Sequence, residues 1–253
     1  METGCQGCRT ATEKIAIEMA FQPIVDAERR NVFAYEALVR GRHEEGAAQV
    51  LSQVTPETLY AFDQQCRVAA ITGAVDAGIL DTQAKLSINF LPKAIYSPLA
   101  CIQLTLRTAR ETGLAADRLI FEFTENEQMI STDRIRTIIE CYREMGFTTA
   151  IDDFGAGHSG LNLLARLKTE YLKIDMGLVR EIEERPRNRS IVEGLVSMAK
   201  KLDATLIAEG IETEAEYHVL RDLGLRYFQG YLFAKPAFRS IPKAVLPQPR
   251  FAE

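Results

Sequence analysis

Short apolar runs alternate with longer segments of helical period along most of the chain, and this alternation limits the possible folds more than any other feature. Six runs have the length and composition of buried strands: 86–88, 119–123, 148–151, 171–174, 205–208 and 227–228. Two further stretches, 17–25 and 31–39, predict a hairpin that turns at 26–30. Strands that alternate with helices form a largely parallel sheet, and eight strands close an α/β barrel. The sequence therefore predicts a (β/α)8 barrel of the α/β class.

The segments between the runs carry the signals of helix ends. Ser131 and Gly146 bracket a segment whose apolar residues recur at helical spacing. Thr213 and Glu216 have capping-box spacing at the start of another segment, which Gly224 follows. These signals predict helices packed outside the barrel.

Composition supports one domain and excludes several functions. The 253 residues are 47% hydrophobic, which is enough for a full core. Net charge is −5, so the chain has no basic field with which to bind duplex nucleic acid. The longest uncharged stretch, 94–106, is too short to cross a bilayer, and the N-terminus has no apolar signal region. We therefore expect no membrane span and a cytoplasmic location.

One domain is expected between two tails, because no linker-like run interrupts residues 15 to 236. Residues 1–14 form an N-terminal tail with a C-x-x-C of Cys5 and Cys8, 15–240 form the single domain, and 241–253 form a C-terminal tail. Cys5 and Cys8 are half of a zinc site, so inter-subunit metal or redox chemistry and a plain tail both remain open. The three other cysteines fall inside predicted helices, where we expect packed thiols: Cys66, Cys101 and Cys141. Histidines His43 and His218 are expected on the surface.

Polar residues stand where the apolar runs end. In chain order they are Asn89, Glu122, Asp152 with Asp153, Lys173, Glu209 and Gln229. Glu36 lies in the second arm of the predicted hairpin. The carboxyl ends of parallel barrel strands share one mouth, so these distant residues should converge there.

A cluster of five carboxylates needs a cation. Like charges within about 4 to 6 Å raise each other's pKa, so Glu36, Glu122, Asp152, Asp153 and Glu209 cannot gather as free anions. Ligands that are all oxygen suit Mg²⁺ or Mn²⁺, and this many acids can hold two ions. A single carboxylate after a strand is often only a helix N-cap, so the joint placement favours metal binding.

The same positions carry a family resemblance. Residues 35–40, YEALVR, resemble the E-A-L-x-R signature of EAL-domain phosphodiesterases, which act on cyclic di-GMP. Other blocks stand in family order: FQPI with Gln22, SINF with Asn89, EFTE with Glu122 and Glu125, DDFGAGHSGL with Asp152 and Asp153, LKID with Lys173, AEGIE with Glu209, and QGYLFAKP with Gln229. The resemblance covers residues 20 to 236.

The resemblance implies a TIM-like barrel whose first strand is antiparallel, which agrees with the predicted hairpin. It implies hydrolysis of cyclic di-GMP to linear pGpG, two Mg²⁺ or Mn²⁺ ions and a homodimer. The first ion would bind Glu36, Asn89, Glu122 and Asp152. The second would share Asp152 and bind Asp153 and Glu209.

The resemblance also assigns roles beside the metals. Lys173 would stabilise charge on the phosphate beside the attacking water, and a plain ion pair with Asp175 or another acid is the alternative. Arg40 would bind a phosphate oxygen of the substrate, or form a surface ion pair. Gln22 and Gln229 would contact substrate and water, or cap buried backbone. Glu125 would stabilise the loop after Asp153.

Two departures from the family pattern fall outside the implied ligands. His158 and Gly160 stand where the family usually has Tyr and a second Ser, and the asparagine block reads N-F-L-P where N-x-S-P is common. The implied ligand set is complete, and we expect these changes to affect regulation more than chemistry.

Three other functions compete with hydrolysis. An EAL domain can bind cyclic di-GMP without cleaving it, or bind a protein partner. A barrel enzyme of enolase type also places acids and Lys at strand ends, but needs a second Lys or His across the mouth. A purely structural module would scatter the acids over the surface.

Overall fold

The strands of the barrel lie where the apolar runs predict them. The computed structural model describes residues 15–95, 97–124, 132–157 and 160–248. Its strands are β1 Ile17–Asp26, β2 Asn31–Gly41, β3 Lys85–Asn89, β4 Leu119–Thr124, β5 Thr148–Phe154, β6 Tyr171–Ile174, β7 Thr205–Ala208, β8 Tyr227–Gln229 and the short β9 Ala237–Phe238. Its α-helices are α1 Ala47–Leu51, α2 Leu59–Asp76, α3 Pro98–Cys101, α4 Gln103–Thr112, α5 Thr132–Glu144, α6 Gly160–Leu164, α7 Met176–Val179, α8 Pro186–Lys201 and α9 Glu214–Asp222.

The first eight strands close into a ring, which confirms the predicted barrel. Neighbours from β2 to β8 are parallel, whereas β1 is antiparallel to both β2 and β8. The turn between β1 and β2 is too short for a parallel crossover, so the hairpin must be antiparallel. Gln22 of β1 therefore faces Glu36 of β2, and β9 pairs with β1 beyond the ring.

An apolar layer fills the barrel directly beneath the polar strand ends. Ile24, Ala34, Ile120, Ala150 and Ile207 form a cluster of their own, with Phe33, Tyr171 and Tyr227 packed against it. Most of these residues lie two positions before a predicted site residue, as Ile120 precedes Glu122. Strand residues two apart point to the same face, so the layer and the site both face the barrel axis.

The helix-end signals agree with the structure in part. Gly146 has a φ of 87°, and the Phe147 N–H donates to the Tyr142 carbonyl at 3.1 Å. Thr213 and Glu216 form the predicted capping box at the start of α9. Ser131 lies outside the described residues.

Cys66, Cys101 and Cys141 lie in α2, α3 and α5 as predicted, and Cys5 and Cys8 lie outside the described residues.

The expectation for His218 is wrong, because α9 turns this side chain inward beside the Tyr217 ring, and only 8% of the residue is exposed. His43 is exposed as expected. Within the described ranges, none of the helices is long and apolar enough to cross a membrane.

Residues after β9 pack on the barrel without regular secondary structure up to position 248. The Tyr35 hydroxyl donates to the Pro242 carbonyl at 3.1 Å, and the Val245 N–H donates to the Phe233 carbonyl at 3.0 Å.

An ion pair between the buried Asp26 and the partly exposed Arg226 fixes the end of β1 opposite the polar strand ends. Both guanidinium edges of Arg226 reach Asp26, with Nε to Oδ1 at 2.9 Å and Nη2 to Oδ2 at 2.6 Å. The Glu28 and Arg29 N–H groups donate to the same carboxylate, each at 3.0 Å. Burial alone would raise the pKa of Asp26, but these hydrogen bonds outweigh it and hold the pKa below its ordinary value.

We expect Asp26→Asn to lower the free energy of unfolding by about 2 kcal/mol at pH 7, because it removes the charge that Arg226 contacts. A carboxyl with a lowered pKa stabilises the fold above its unfolded pKa, so the difference should shrink below about pH 4. Urea titrations of both proteins across this range measure it. A difference that does not change with pH would contradict the account.

Candidate metal centre

A buried lysine lies among four carboxylates at the mouth of the barrel. Lys173 of β6 has no exposed surface. Its Nζ lies 2.7 Å from Glu209, 2.9 Å from Glu122, 3.1 Å from Asp152 and 3.5 Å from Glu36. Of the alternative ion pairs predicted for Lys173, those with other acids are formed, whereas Asp175 caps α7 and accepts the Gly177 N–H at 2.8 Å.

Two amide side chains donate to Glu36, which is itself buried, and a third amide contacts one of them. Asn89 Nδ2 donates to Glu36 Oε1 at 2.9 Å, and Gln229 Nε2 donates to Glu36 Oε2 at 2.7 Å. Gln229 Nε2 also reaches Gln22 Oε1 at 3.3 Å, and Gln22 Nε2 donates to the Ala234 carbonyl at 3.2 Å. Closure of the ring thus brings β1, β2, β3 and β8 to one side of the site.

Asp152 and Asp153 both reach the site because the backbone of β5 is irregular. Strand alternation alone would point consecutive side chains to opposite faces. Asp153 has a φ of 54°, and the register of β5 against β6 shifts between Ile151 and Phe154. The Asp153 N–H donates to Asp152 Oδ1 at 2.9 Å.

The carboxylates form two overlapping groups. Ligand oxygens of Glu36, Glu122 and Asp152 lie within 4.8 Å of one another, and so do those of Asp152, Asp153 and Glu209. Asp152 belongs to both groups. Two hard cations could therefore share this carboxylate, with oxygen ligands only.

The loop that follows Glu209 is fixed against the end of β8. The Ile211 N–H donates to the Gln229 carbonyl at 3.0 Å. A Cβ at Gly230 would lie 2.0 Å from the Ile211 carbonyl oxygen, so only glycine permits this approach. This contact keeps Glu209 and Gln229 at the same side of the mouth.

The metal-free site is too rich in carboxylates to ionise fully near neutrality. Burial, together with Glu36 and Asp152, raises the pKa of Glu122 to about 8 despite the nearby Lys173. Burial also raises the pKa of Glu209 well above its ordinary value, and burial with Asp152 raises the pKa of Asp153. Burial would lower the pKa of Lys173, but the four carboxylates raise it, so the ammonium stays charged.

The remaining predicted residues are placed as follows. Arg40 is half-buried near the C-terminal end of β2, and its Nη1 donates to the Val39 carbonyl at 2.8 Å. Among the hydrogen bonds and ion pairs of the described residues, none joins Arg40 to the acidic cluster. Gly160 is the buried first residue of α6. Glu125 and His158 lie outside the described residues.

One contact at the site was not predicted from the sequence. The Ser87 hydroxyl donates to Glu122 Oε1 and is fully buried. Ser87 lies two residues before Asn89 on the same strand, so period-two spacing was the available signal.

Among the buried polar residues described, the only Lys and His are Lys173 and His218, and His218 lies on α9. The second base that an enolase-type site requires is therefore not among them.

A barrel with an oxygen-only acidic centre at its mouth defines the class of this protein. The family model of the EAL domain matches residues 7–236. The chain belongs to the EAL domain family.

Three relatives illustrate the range of the family. The crystal structure of a standalone EAL protein from Vibrio cholerae O395 in its c-di-GMP bound form is 44% identical, with a TM-score of 0.89 over 92% of this chain and 98% of that one. The blue light- and temperature-regulated antirepressor BluF of Escherichia coli K12 is 30% identical over 90% of this chain and 56% of its own length. The probable cyclic di-GMP phosphodiesterase PdeN of the same strain is 30% identical over 90% of this chain and 45% of its own length. The chain thus spans about half the length of these two curated relatives.

We expect the affinity of the site for Mn²⁺ to rise with pH between 6 and 8. Metal ligands must be deprotonated, and burial raises the pKa of Glu122 to about 8. Each proton displaced contributes up to about tenfold in affinity per pH unit. Calorimetric titrations with Mn²⁺ at several pH values measure this, and an affinity that is flat with pH would show that no carboxyl proton is displaced.

Proposed function

We propose that this chain hydrolyses one phosphodiester bond of cyclic di-GMP and yields linear pGpG, which would place it in bacterial second messenger signalling. The observation that carries the proposal is the pair of overlapping carboxylate groups that share Asp152, beside the buried Lys173. The family membership and the c-di-GMP bound V. cholerae relative support this substrate. The name of PdeN supports the reaction.

The residues present fit two Mg²⁺ or Mn²⁺ ions, because every ligand atom on offer is a carboxylate or amide oxygen. The first ion would be held by Glu36, Asn89, Glu122 and Asp152, and the second by Asp152, Asp153 and Glu209. Two such ions, when bound, supply a nucleophilic water of lowered pKa and neutralise phosphate charge. Burial raises the pKa of both Asp153 and Glu209, and bound cations would favour the ionised forms of these carboxyls.

Lys173 would stabilise the transition state. Its ammonium is held by carboxylates on β2, β4 and β5 and directly after β7, so it is fixed in place before substrate arrives. A preorganised cation stabilises the charge that develops on the phosphate oxygens without reorganising. Arg40 would bind a phosphate oxygen through its planar guanidinium. Gln22 and Gln229 would orient substrate and water, and Glu125 would stabilise the loop after Asp153.

The second candidate function is binding without cleavage, either of cyclic di-GMP or of a protein. BluF, an EAL-domain relative, is named as an antirepressor. One assay separates the candidates: the purified chain is incubated with cyclic di-GMP and Mn²⁺, with and without a chelator, and the nucleotides are separated. Chelator-sensitive pGpG supports hydrolysis, whereas bound but intact cyclic di-GMP supports a receptor.

Glu36→Gln should reduce pGpG formation by about 100-fold or more, because it removes a charged ligand of the first metal while keeping the shape of the side chain. The control is Glu193→Gln on the exposed face of α8, which should turn over like the wild type. Initial rates from the nucleotide assay measure both. Normal turnover by Glu36→Gln would exclude the assigned site.

Lys173→Met should lower kcat by about 10²- to 10³-fold while KM changes little, because the ammonium acts on charge that appears only in the transition state. Steady-state kinetics at saturating Mn²⁺ make the comparison. A large rise in KM with unchanged kcat would instead make Lys173 a binding residue.

The remaining organisation stays a prediction. We propose tails at 1–14 and 241–253 around the EAL phosphodiesterase domain at 15–240, a homodimer, and a cytoplasmic location.

A further inference from the structure

Helix α2 carries a buried ion pair beneath the loop that follows β3. Asp63 is 3% exposed and Arg67 has no exposed surface. Arg67 Nη2 donates to Asp63 Oδ2, and Arg67 Nη1 donates to the Tyr142 hydroxyl at 3.1 Å. The guanidinium lies 5.8 Å from the ring centroids of both Phe90 and Phe121. These contacts hold Arg67, and through it Asp63, in one arrangement.

Stability alone does not account for such a pair. Removing two charges from water costs several kcal/mol for each ion, and apolar residues of similar volume often stabilise a core equally well. The second oxygen of Asp63 shows what the pair does in addition. Asp63 Oδ1 accepts the Leu91 N–H at 2.9 Å, so the pair anchors the backbone two residues after Asn89.

The segment 89–91 is held at each of its three residues. The Asn89 side chain donates to Glu36. The Phe90 N–H donates to the Glu122 carbonyl at 2.9 Å, and its ring packs on Arg67. The Leu91 N–H donates to Asp63. Asn89 is itself exposed, so the direction of its side chain depends on the backbone that Phe90 and Leu91 hold.

We propose that Asp63, held by Arg67, is a positioning residue that aims Asn89 at the metal centre. The proposal rests on the proposed function, in which Asn89 is a ligand of the first metal. Outer partners that orient a metal ligand typically contribute about 10- to 100-fold in metal affinity.

The test compares two double variants of the full chain. Asp63→Leu with Arg67→Met removes the anchor of Leu91 and leaves no buried charge unpaired. Asp63→Asn with Arg67→Met also removes both charges but keeps a side-chain oxygen for the Leu91 N–H. Calorimetric titration with Mn²⁺ should show affinity about tenfold or more weaker for the first variant and close to wild type for the second. Equal affinities for the two variants would overturn the proposal.

A double-mutant cycle separates positioning from a general loss of structure. If Asp63 acts through Asn89, adding Asp63→Leu with Arg67→Met to Asn89→Ala should cost no further Mn²⁺ affinity. The same loss in both backgrounds would overturn the proposal, because the pair would then act on the whole site.

The anchor is also testable without metal. Hydrogen exchange of the Leu91 amide should be faster with Asp63→Leu than with Asp63→Asn, each paired with Arg67→Met. Equal exchange rates of the Leu91 amide in the two double variants would overturn the positioning role of Asp63 but would leave the proposed function standing. Absence of Mn²⁺ binding by the wild type, with the exchange difference intact, would instead remove the proposed function while leaving the anchor.

Discussion

Repulsion among the acidic side chains at the mouth of the barrel is the constraint on which the site depends. Glu36, Glu122, Asp152 and Glu209 converge on the single ammonium of Lys173. One cation cannot balance four anions, and burial together with the neighbouring carboxylates Glu36 and Asp152 raises the pKa of Glu122. Divalent cations shared through Asp152 would remove the remaining repulsion, which is why the cluster favours metal-assisted hydrolysis over a structural role.

Closure of the barrel is what makes this convergence possible. Residues from strands far apart in sequence meet because all parallel strands end at the same rim, and period-two alternation keeps them over the inner apolar layer. Strand β1 runs antiparallel to β2 and places Gln22 opposite Glu36. Asp153 departs from alternation through its left-handed backbone, so one strand end supplies two neighbouring carboxylates.

Much of this could be predicted from sequence, because a polar residue at the end of an apolar run has a defined place once the strands are parallel. Glu122, Asp152 and Lys173 are found together for that reason. Helical periodicity, by contrast, marks an apolar face but not the partner of a polar residue within it. The sequence therefore does not predict that Asp63 and Arg67 of α2 form a buried pair. For the same reason it predicts His218 on the surface, although its side chain is buried.

Anomalous diffraction from a crystal grown with Mn²⁺ tests the central claim most directly. The account predicts two peaks about 3.5 to 4 Å apart at the mouth of the barrel, both in contact with the Asp152 carboxylate. Side chains of Glu36, Glu122 and Glu209 that point apart, with no anomalous peak among them, would contradict it.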